Sequence, residues 1–167
     1  MRLSNNNPIE NMSDSPIKEL QVGDPAPSFE AVNQKGETLR LEDFRGQKLV
    51  LYFYPKDDTP GCTKEACNLR DHHEALQQAG YRVLGVSIDS EASHQKFIDK
   101  HGLPFDLIAD PDKELVEKYG VWKEKNMYGK KYMGTARTTF LIDEEGAITK
   151  IFKKVKSADH AAQILAT

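Results

Sequence analysis

Two cysteines, Cys62 and Cys67, are the only thiols in the 167 residues. They lie five positions apart in the segment Tyr54-Pro55-Lys56-Asp57-Asp58-Thr59-Pro60-Gly61-Cys62-Thr63-Lys64-Glu65-Ala66-Cys67. The residues before Cys62 read as a helix start, with Thr59 suited to the N-cap and Pro60 to the first helical position. Cys62 then falls in the first turn, where backbone amides lack intrahelical partners and the helix dipole presents its positive end. Cysteines at helix N-termini have their pKa lowered from about 8.5 toward roughly 3.5–7.5, and the thiolate is the form that attacks. Two cysteines are too few for a disulfide framework or a four-cysteine metal site. The chemistry on offer is nucleophilic or redox chemistry at sulfur.

On such a helix the two sulfurs point apart. Cys62, Ala66, Leu69, His73 and Leu76 follow one another at helical spacing and form an inward stripe. Cys67 shares its side with Thr63, Arg70, Asp71 and Glu74. Five residues rotate a side chain by about 140° and advance it by about 7.5 Å, which leaves the α-carbons roughly 8–9 Å apart. A disulfide needs less than about 7 Å and converging β-carbons. Any bond between Cys62 and Cys67 therefore requires the first turns to unwind. Gly61 and Thr63, both poor helix formers, keep that cost modest. A Cys-Cys-His metal site using His72 or His73 is a competing reading, though the spacing matches no standard zinc pattern. His73, on the inward stripe, reads more simply as a core histidine.

The elements that must position these residues follow from pattern. Residues 1–17, nine of them Asn, Ser or Pro, bury too little to order, and a disordered extension is expected there, with one folded domain over 18–167. Phe29–Val32 and Thr38–Leu41 flank a Gly-bearing turn and read as an N-terminal hairpin. Lys48–Tyr54 is a strand buried on both faces, ended by Pro55. A helix follows from Pro60 to about Ala79, with Gly80 at its stop. Arg82–Ile88 is a second buried strand. Ser90 caps a helix to about His101, followed by Gly102. A short strand near Phe105–Ile108, a helix over Pro111–Tyr119, a strand hairpin of Thr138–Ile142 with Ala147–Phe152, and a last helix capped by Ser157 complete the chain. Trp122 reads as a packing residue, and Lys123, Lys125, Lys130 and Lys131 as a solvated loop. This order predicts an α/β fold, a central mixed sheet flanked by helices.

Composition narrows the function. Lys and Arg total 23 against 26 Asp and Glu, a net charge of −3, which argues against nucleic-acid binding. The longest apolar run, Leu49–Tyr54, is six residues, far short of the roughly 20 that span a bilayer. The first residues lack a charged-then-apolar leader, so a cytoplasmic protein without membrane contact is expected.

The segment Tyr52–Thr63 resembles the active-site motif of peroxiredoxins, within them the peroxiredoxin Q or bacterioferritin comigratory protein group. Gly23-Asp24-Pro25-Ala26-Pro27-Ser28-Phe29, Leu41-Glu42-Asp43-Phe44-Arg45-Gly46, Gly85-Val86-Ser87 and Arg137-Thr138-Thr139-Phe140-Leu141-Ile142-Asp143 resemble further segments of that family, in order. The likeness covers roughly residues 18–166. It implies a thioredoxin-like fold and a thiol-dependent peroxidase with no cofactor and no metal. Cys62 would reduce hydrogen peroxide or an organic hydroperoxide and become a sulfenic acid. Cys67 would resolve it as an intrachain disulfide, and thioredoxin or a similar dithiol would reduce that disulfide. A monomer is expected. A thioredoxin-fold disulfide reductase and a Cys/His metal-binding chaperone are the alternatives. The reductase class usually separates its cysteines by two residues, not four.

The resemblance assigns roles that chemistry supports. Pro55 would wall the pocket, although it also serves as a plain strand terminator. Thr59 would bond the peroxide through its hydroxyl, whether or not it caps the helix. Gly61 would leave the approach open and offer a free amide. Arg137 would bring positive charge and a planar fork of donors, with Glu65 orienting it. At about 4 Å and an effective dielectric near 20 an ion pair is worth about 4 kcal/mol before desolvation, against about 0.3–2 kcal/mol for the helix terminus. Arg137 is thus expected to be the larger cause of thiolate formation.

Overall fold

A computed structural model describes residues 19–167, and the extension expected over 1–17 lies outside them. Strands β1 (Glu30–Asn33) and β2 (Thr38–Arg40) form the expected antiparallel hairpin. Strand β3 (Lys48–Phe53) is followed by helices α1 (Pro60–Asp71) and α2 (His73–Gln78). Then come β4 (Tyr81–Ser87), α3 (Glu91–His101), β5 (Asp106–Ala109) and α4 (Glu114–Lys118). Strands β6 (Trp122–Met127) and β7 (Lys130–Thr135) precede β8 (Thr138–Ile142), β9 (Ile148–Phe152) and α5 (His160–Leu165).

Seven strands form one mixed sheet in the order β2-β1-β5-β4-β3-β8-β9. Strands β3, β4 and β5 run parallel, and the remaining pairs run antiparallel. Strand β3 is central because both its faces are apolar. Leu49, Leu51 and Phe53 point to one side, against Val116, Tyr119 and Phe140. Val50, Tyr52 and Tyr54 point to the other, against Ala66 and Leu69 of α1, Leu76 of α2, Phe97 of α3 and Ile164 of α5. Each such side chain contributes about 1.5–3 kcal/mol on burial. Helix α3 ends as its sequence predicts: the Ser90 hydroxyl accepts from the Ser93 amide, and Gly102 adopts the left-handed conformation at φ 61°.

Four expectations need correction. The helix expected over Pro60–Ala79 breaks at His72, whose φ of −112° and ψ of 18° leave the helical region. The helix expected from Pro111 begins at Glu114, where the Asp110 carboxylate accepts from the Leu115 and Val116 amides. Ser157 does not cap α5. It opens a tight turn, and the Ala161 amide near the start of α5 bonds instead to Asn68 Oδ1 of α1 at 2.7 Å. The supposed lysine loop is the hairpin β6–β7, a separate two-stranded sheet.

Candidate active site

Strand β3 delivers Tyr54 to a turn over Pro55–Thr59, and α1 leaves that turn over the sheet. Strand β8 pairs antiparallel with β3, Thr138 lying opposite Phe53. That register brings Arg137, one residue before Thr138, beside the turn. The guanidinium then spans two groups on α1. Its Nη2 donates to Cys62 Sγ at 3.4 Å, and its Nη1 donates to Glu65 Oε1 at 2.7 Å. Cys62 is buried and Cys67 half-buried on the flank, and both thiols are free. Helix α1 runs unbroken through both.

Gly61 is required here by close approach. A Cβ at this position would lie 3.1 Å from Arg137 Nη2, so a side chain there would press on the guanidinium and shift it by a few tenths of an ångström. Thr59 has the extended backbone of an N-cap, and its carbonyl accepts from the Thr63 amide at 2.8 Å. Its hydroxyl does not cap, which corrects the expectation of a side-chain cap. It donates to Lys56 O at 2.8 Å, and its oxygen keeps lone pairs for another donor. Pro55 is half-buried at the start of the same turn. The structure thus groups Cys62, Thr59, Pro55, Gly61 and Arg137 at one end of the sheet.

Charge is unevenly balanced around the sulfur. Glu65 is fully buried, and burial pushes its carboxyl up to about 7 against the opposing pull of Arg137. Its second oxygen, Oε2, has no hydrogen-bond partner among the described residues and lies 3.8 Å from His160 Nε2. Burial lowers the His160 pKa. Its Nδ1 bonds Gln163 Oε1 and its Nε2 bonds Thr139 Oγ1, each at 2.8 Å. The amide oxygen requires a donor at Nδ1, so the neutral ring accepts the Thr139 hydroxyl at Nε2. The Tyr52 hydroxyl is also buried with no partner among the described residues, and burial, Glu65 and Cys62 all push its pKa up.

Several side chains fall elsewhere than expected. His73 is half-buried beside Phe105 and is not a core histidine. His72 is exposed and bonds the Asn68 carbonyl of its own helix. Of the hairpin lysines, Lys123, Lys130 and Lys131 are exposed, whereas Lys125 is half-buried. Burial and Arg137 lower the Lys125 pKa, and Cys62 works in the opposite sense. Trp122 lines a groove of about 620 Å³ with Tyr119, Phe140 and Ile151. Arg137 touches that groove and Cys62 does not, so its size carries no weight for the chemistry at sulfur.

Two groups escaped the sequence reading. Asp57, inside the Pro55–Thr59 turn, and His94 of α3 form a buried pair, Nδ1 to Oδ2 at 2.7 Å. They lie 37 residues apart, and no local spacing marks them.

Residues 22–151 match the AhpC/TSA family. The putative peroxiredoxin bcp of Coxiella burnetii is 53% identical over 146 residues, covering 87% of this chain and 97% of that protein. Peroxiredoxin Bcp of Bacillus subtilis is 49% identical over 148 residues, covering 89% and 94%. Among solved structures, peroxiredoxin Q of Xanthomonas campestris superposes with a TM-score of 0.78 at 43% identity, covering 83% of this chain and 87% of that one. Peroxidoxin BcpB of Mycobacterium tuberculosis gives 0.79 at 31% identity, covering 89% and 96%. Among the described residues no helix is long and apolar enough to cross a membrane. The chain belongs to the AhpC/TSA family, in its Bcp or peroxiredoxin Q branch, and is a thiol peroxidase on a thioredoxin-like fold.

Proposed function

We propose that Cys62 is the peroxidatic cysteine and Cys67 its intrachain resolving partner. The observation that carries this reading is the Arg137 fork, with one nitrogen on Cys62 Sγ and the other on Glu65. The Cys62 thiolate attacks the terminal oxygen of a hydroperoxide. The O–O bond breaks, the departing alkoxide or hydroxide takes a proton, and Cys62 becomes a sulfenic acid. The Arg137 donors and the α1 amides lie where the departing negative charge develops, which is where preorganised donors lower a barrier most. The Thr59 hydroxyl, anchored through its own hydrogen on Lys56 O, accepts from the peroxide and holds it in line. Pro55 shields the thiolate from water, and Gly61 leaves room for Arg137.

Resolution then requires motion. Five residues along an intact helix separate the sulfurs by about 140° of rotation. The first turns of α1 unwind, the Cys67 thiolate attacks Cys62 Sγ, the S–O bond breaks as the disulfide forms, and the departing hydroxide takes up a proton and leaves as water. Thioredoxin or a similar dithiol reduces that disulfide by exchange. Without resolution a sulfenic acid climbs to sulfinic acid. The bacterioferritin comigratory protein of Xanthomonas campestris has an alkyl peroxide reduction activity. We extend that substrate class here beside hydrogen peroxide. The chain supplies Cys62, Cys67, Glu65 and Arg137 itself, so a monomer suffices, and two free thiols suit the reducing cytoplasm.

Intact mass after one equivalent of hydrogen peroxide tests the assignment. The parent should lose two hydrogens, Cys67→Ser should gain one oxygen, and Cys62→Ser should stay unchanged. A disulfide-free parent, or oxygen uptake by Cys62→Ser, reverses the roles or removes them.

A further inference from the structure

The turn that carries Pro55 and Thr59 is tied to α3 by two carboxylates. The outer one, Asp58, sits at φ 59°, a left-handed conformation that costs a non-glycine residue on the order of 1 kcal/mol or more. Lys100 Nζ at 2.7 Å and His101 Nε2 at 3.2 Å hold its carboxylate. The inner one, Asp57, is buried and nearly saturated with donors. Its Oδ1 accepts from the Tyr54 hydroxyl at 2.6 Å, and its Oδ2 accepts from the Ser93 hydroxyl at 2.7 Å and faces His94 Nδ1 at 2.7 Å. The Asp57 amide donates to Asp89 Oδ2 at 2.8 Å.

His94 is itself fixed from behind. Its Nε2 lies 2.9 Å from the Ile108 carbonyl of β5 and must donate there. A bare Nδ1 would then confront a carboxylate oxygen, so a proton lies between Nδ1 and Oδ2 and joins the two groups. Asp57, Asp89 and His94 are also of the types that hold a cation, their nearest donor atoms all lying within 4.8 Å of one another. Those atoms are already spent on hydrogen bonds, with Asp89 Oδ2 accepting from Ser87 Oγ as well. The group therefore reads as an anchor.

We propose that Asp57, gripped by His94 and Ser93 of α3, is a positioning residue that sets the Pro55–Thr59 turn for peroxide without acting on the thiolate. Only the backbone of the turn links Asp57 to Thr59, whose hydroxyl bonds Lys56, the residue before Asp57. Arg137, just before β8, reaches Cys62 and is held by Glu65 of α1, without a bond to this anchor. A buried polar pair of this kind contributes little net stability against an apolar replacement, and fixing geometry is its best-attested use.

The proposal rests on Cys62 being the nucleophile, and the test separates the two ideas. Cys62 is assayed in Cys67→Ser protein with hydrogen peroxide, which uses the turn, and with iodoacetamide, which needs only the thiolate. Asp57→Asn and His94→Gln should lower the peroxide rate constant roughly 10- to 100-fold and leave alkylation within about twofold. Ser93→Ala, which deletes one bond and keeps the pair, should lower the same ratio about threefold, so the prediction survives if the stronger variants fail to fold. Proportional loss of both rates, or an unchanged ratio in Ser93→Ala, overturns the proposal. If Cys62 of the starting protein does not react with peroxide while still alkylating, the underlying reading falls and takes this one with it.

Discussion

Two buried polar networks flank Cys62, and they are finished to different degrees. On the α3 side, Asp57 meets Tyr54, Ser93 and His94 within 2.7 Å, and His94 is closed off by Ile108 O. On the β8 side, Arg137 spans Cys62 and Glu65, but Glu65 Oε2 and the Tyr52 hydroxyl have no partner among the described residues. A saturated network has one arrangement. A network with orphaned atoms holds charge at a cost and gives way when that charge changes. The first suits a turn that must not move. The second suits a helix end that must hold a sulfur and later release it. There Arg137 faces one buried carboxyl, which burial holds up to about 7.

The sharpest way to break this contrast is Arg137→Lys. An ammonium cannot reach Cys62 Sγ and Glu65 Oε1 as a planar fork does. The peroxide rate constant should fall about 100-fold, equivalent to about 3 kcal/mol, and alkylation of Cys62 at neutral pH should fall with it. That joint loss is the opposite of the split expected for Asp57→Asn. If Arg137→Lys slowed peroxide and spared alkylation, the two networks would have the same job and the comparison would collapse.

Glu65→Gln comes next in size. Burial raises the carboxyl from 4.5 to about 7 in the folded protein. Between those values the unfolded chain has lost the proton that the folded chain keeps. Folding stability therefore falls as pH rises from about 4.5 to about 7, and is flat beyond, by on the order of a few kcal/mol. Urea midpoints measured across that window should decline in the parent and not in Glu65→Gln. A flat parent profile would mean that Arg137 alone satisfies the carboxylate.

These features differ in how far they could be read ahead. Strand β3 was plain, because six consecutive apolar residues demand burial on both faces. The hairpin β6–β7 was not. It stands off the main sheet, so Lys123–Tyr132 has no core-facing alternation to read. The break at His72 was hidden because the inward stripe continues through Leu76 on α2, so the apolar pattern outlives the helix. At the site, the helix start explains Cys62 physically. Arg137 came only through family likeness, since its place depends on the register of β8 against β3, 75 residues from the sulfur. Asp57 and His94 stayed invisible for the same reason. A buried pair joined across two elements has no signature in local spacing.

The smallest effect offers the cleanest reading of the two networks. Tyr52 and Tyr54 lie on the same face of the sheet, their rings stacked with centroids 5.4 Å apart, both almost wholly buried. Their phenyl bodies do equal work, so removing each hydroxyl isolates the polar atom. Tyr54→Phe deletes a donor to a buried carboxylate and should cost about 1.5–3 kcal/mol. Tyr52→Phe removes a hydroxyl that burial has left without a partner, and it should be neutral or stabilising by about 1 kcal/mol. Urea unfolding with an unchanged m-value measures both. Equal costs for the two substitutions would show that Tyr52 has a partner after all, and the β8 side would then be as closed as the α3 side.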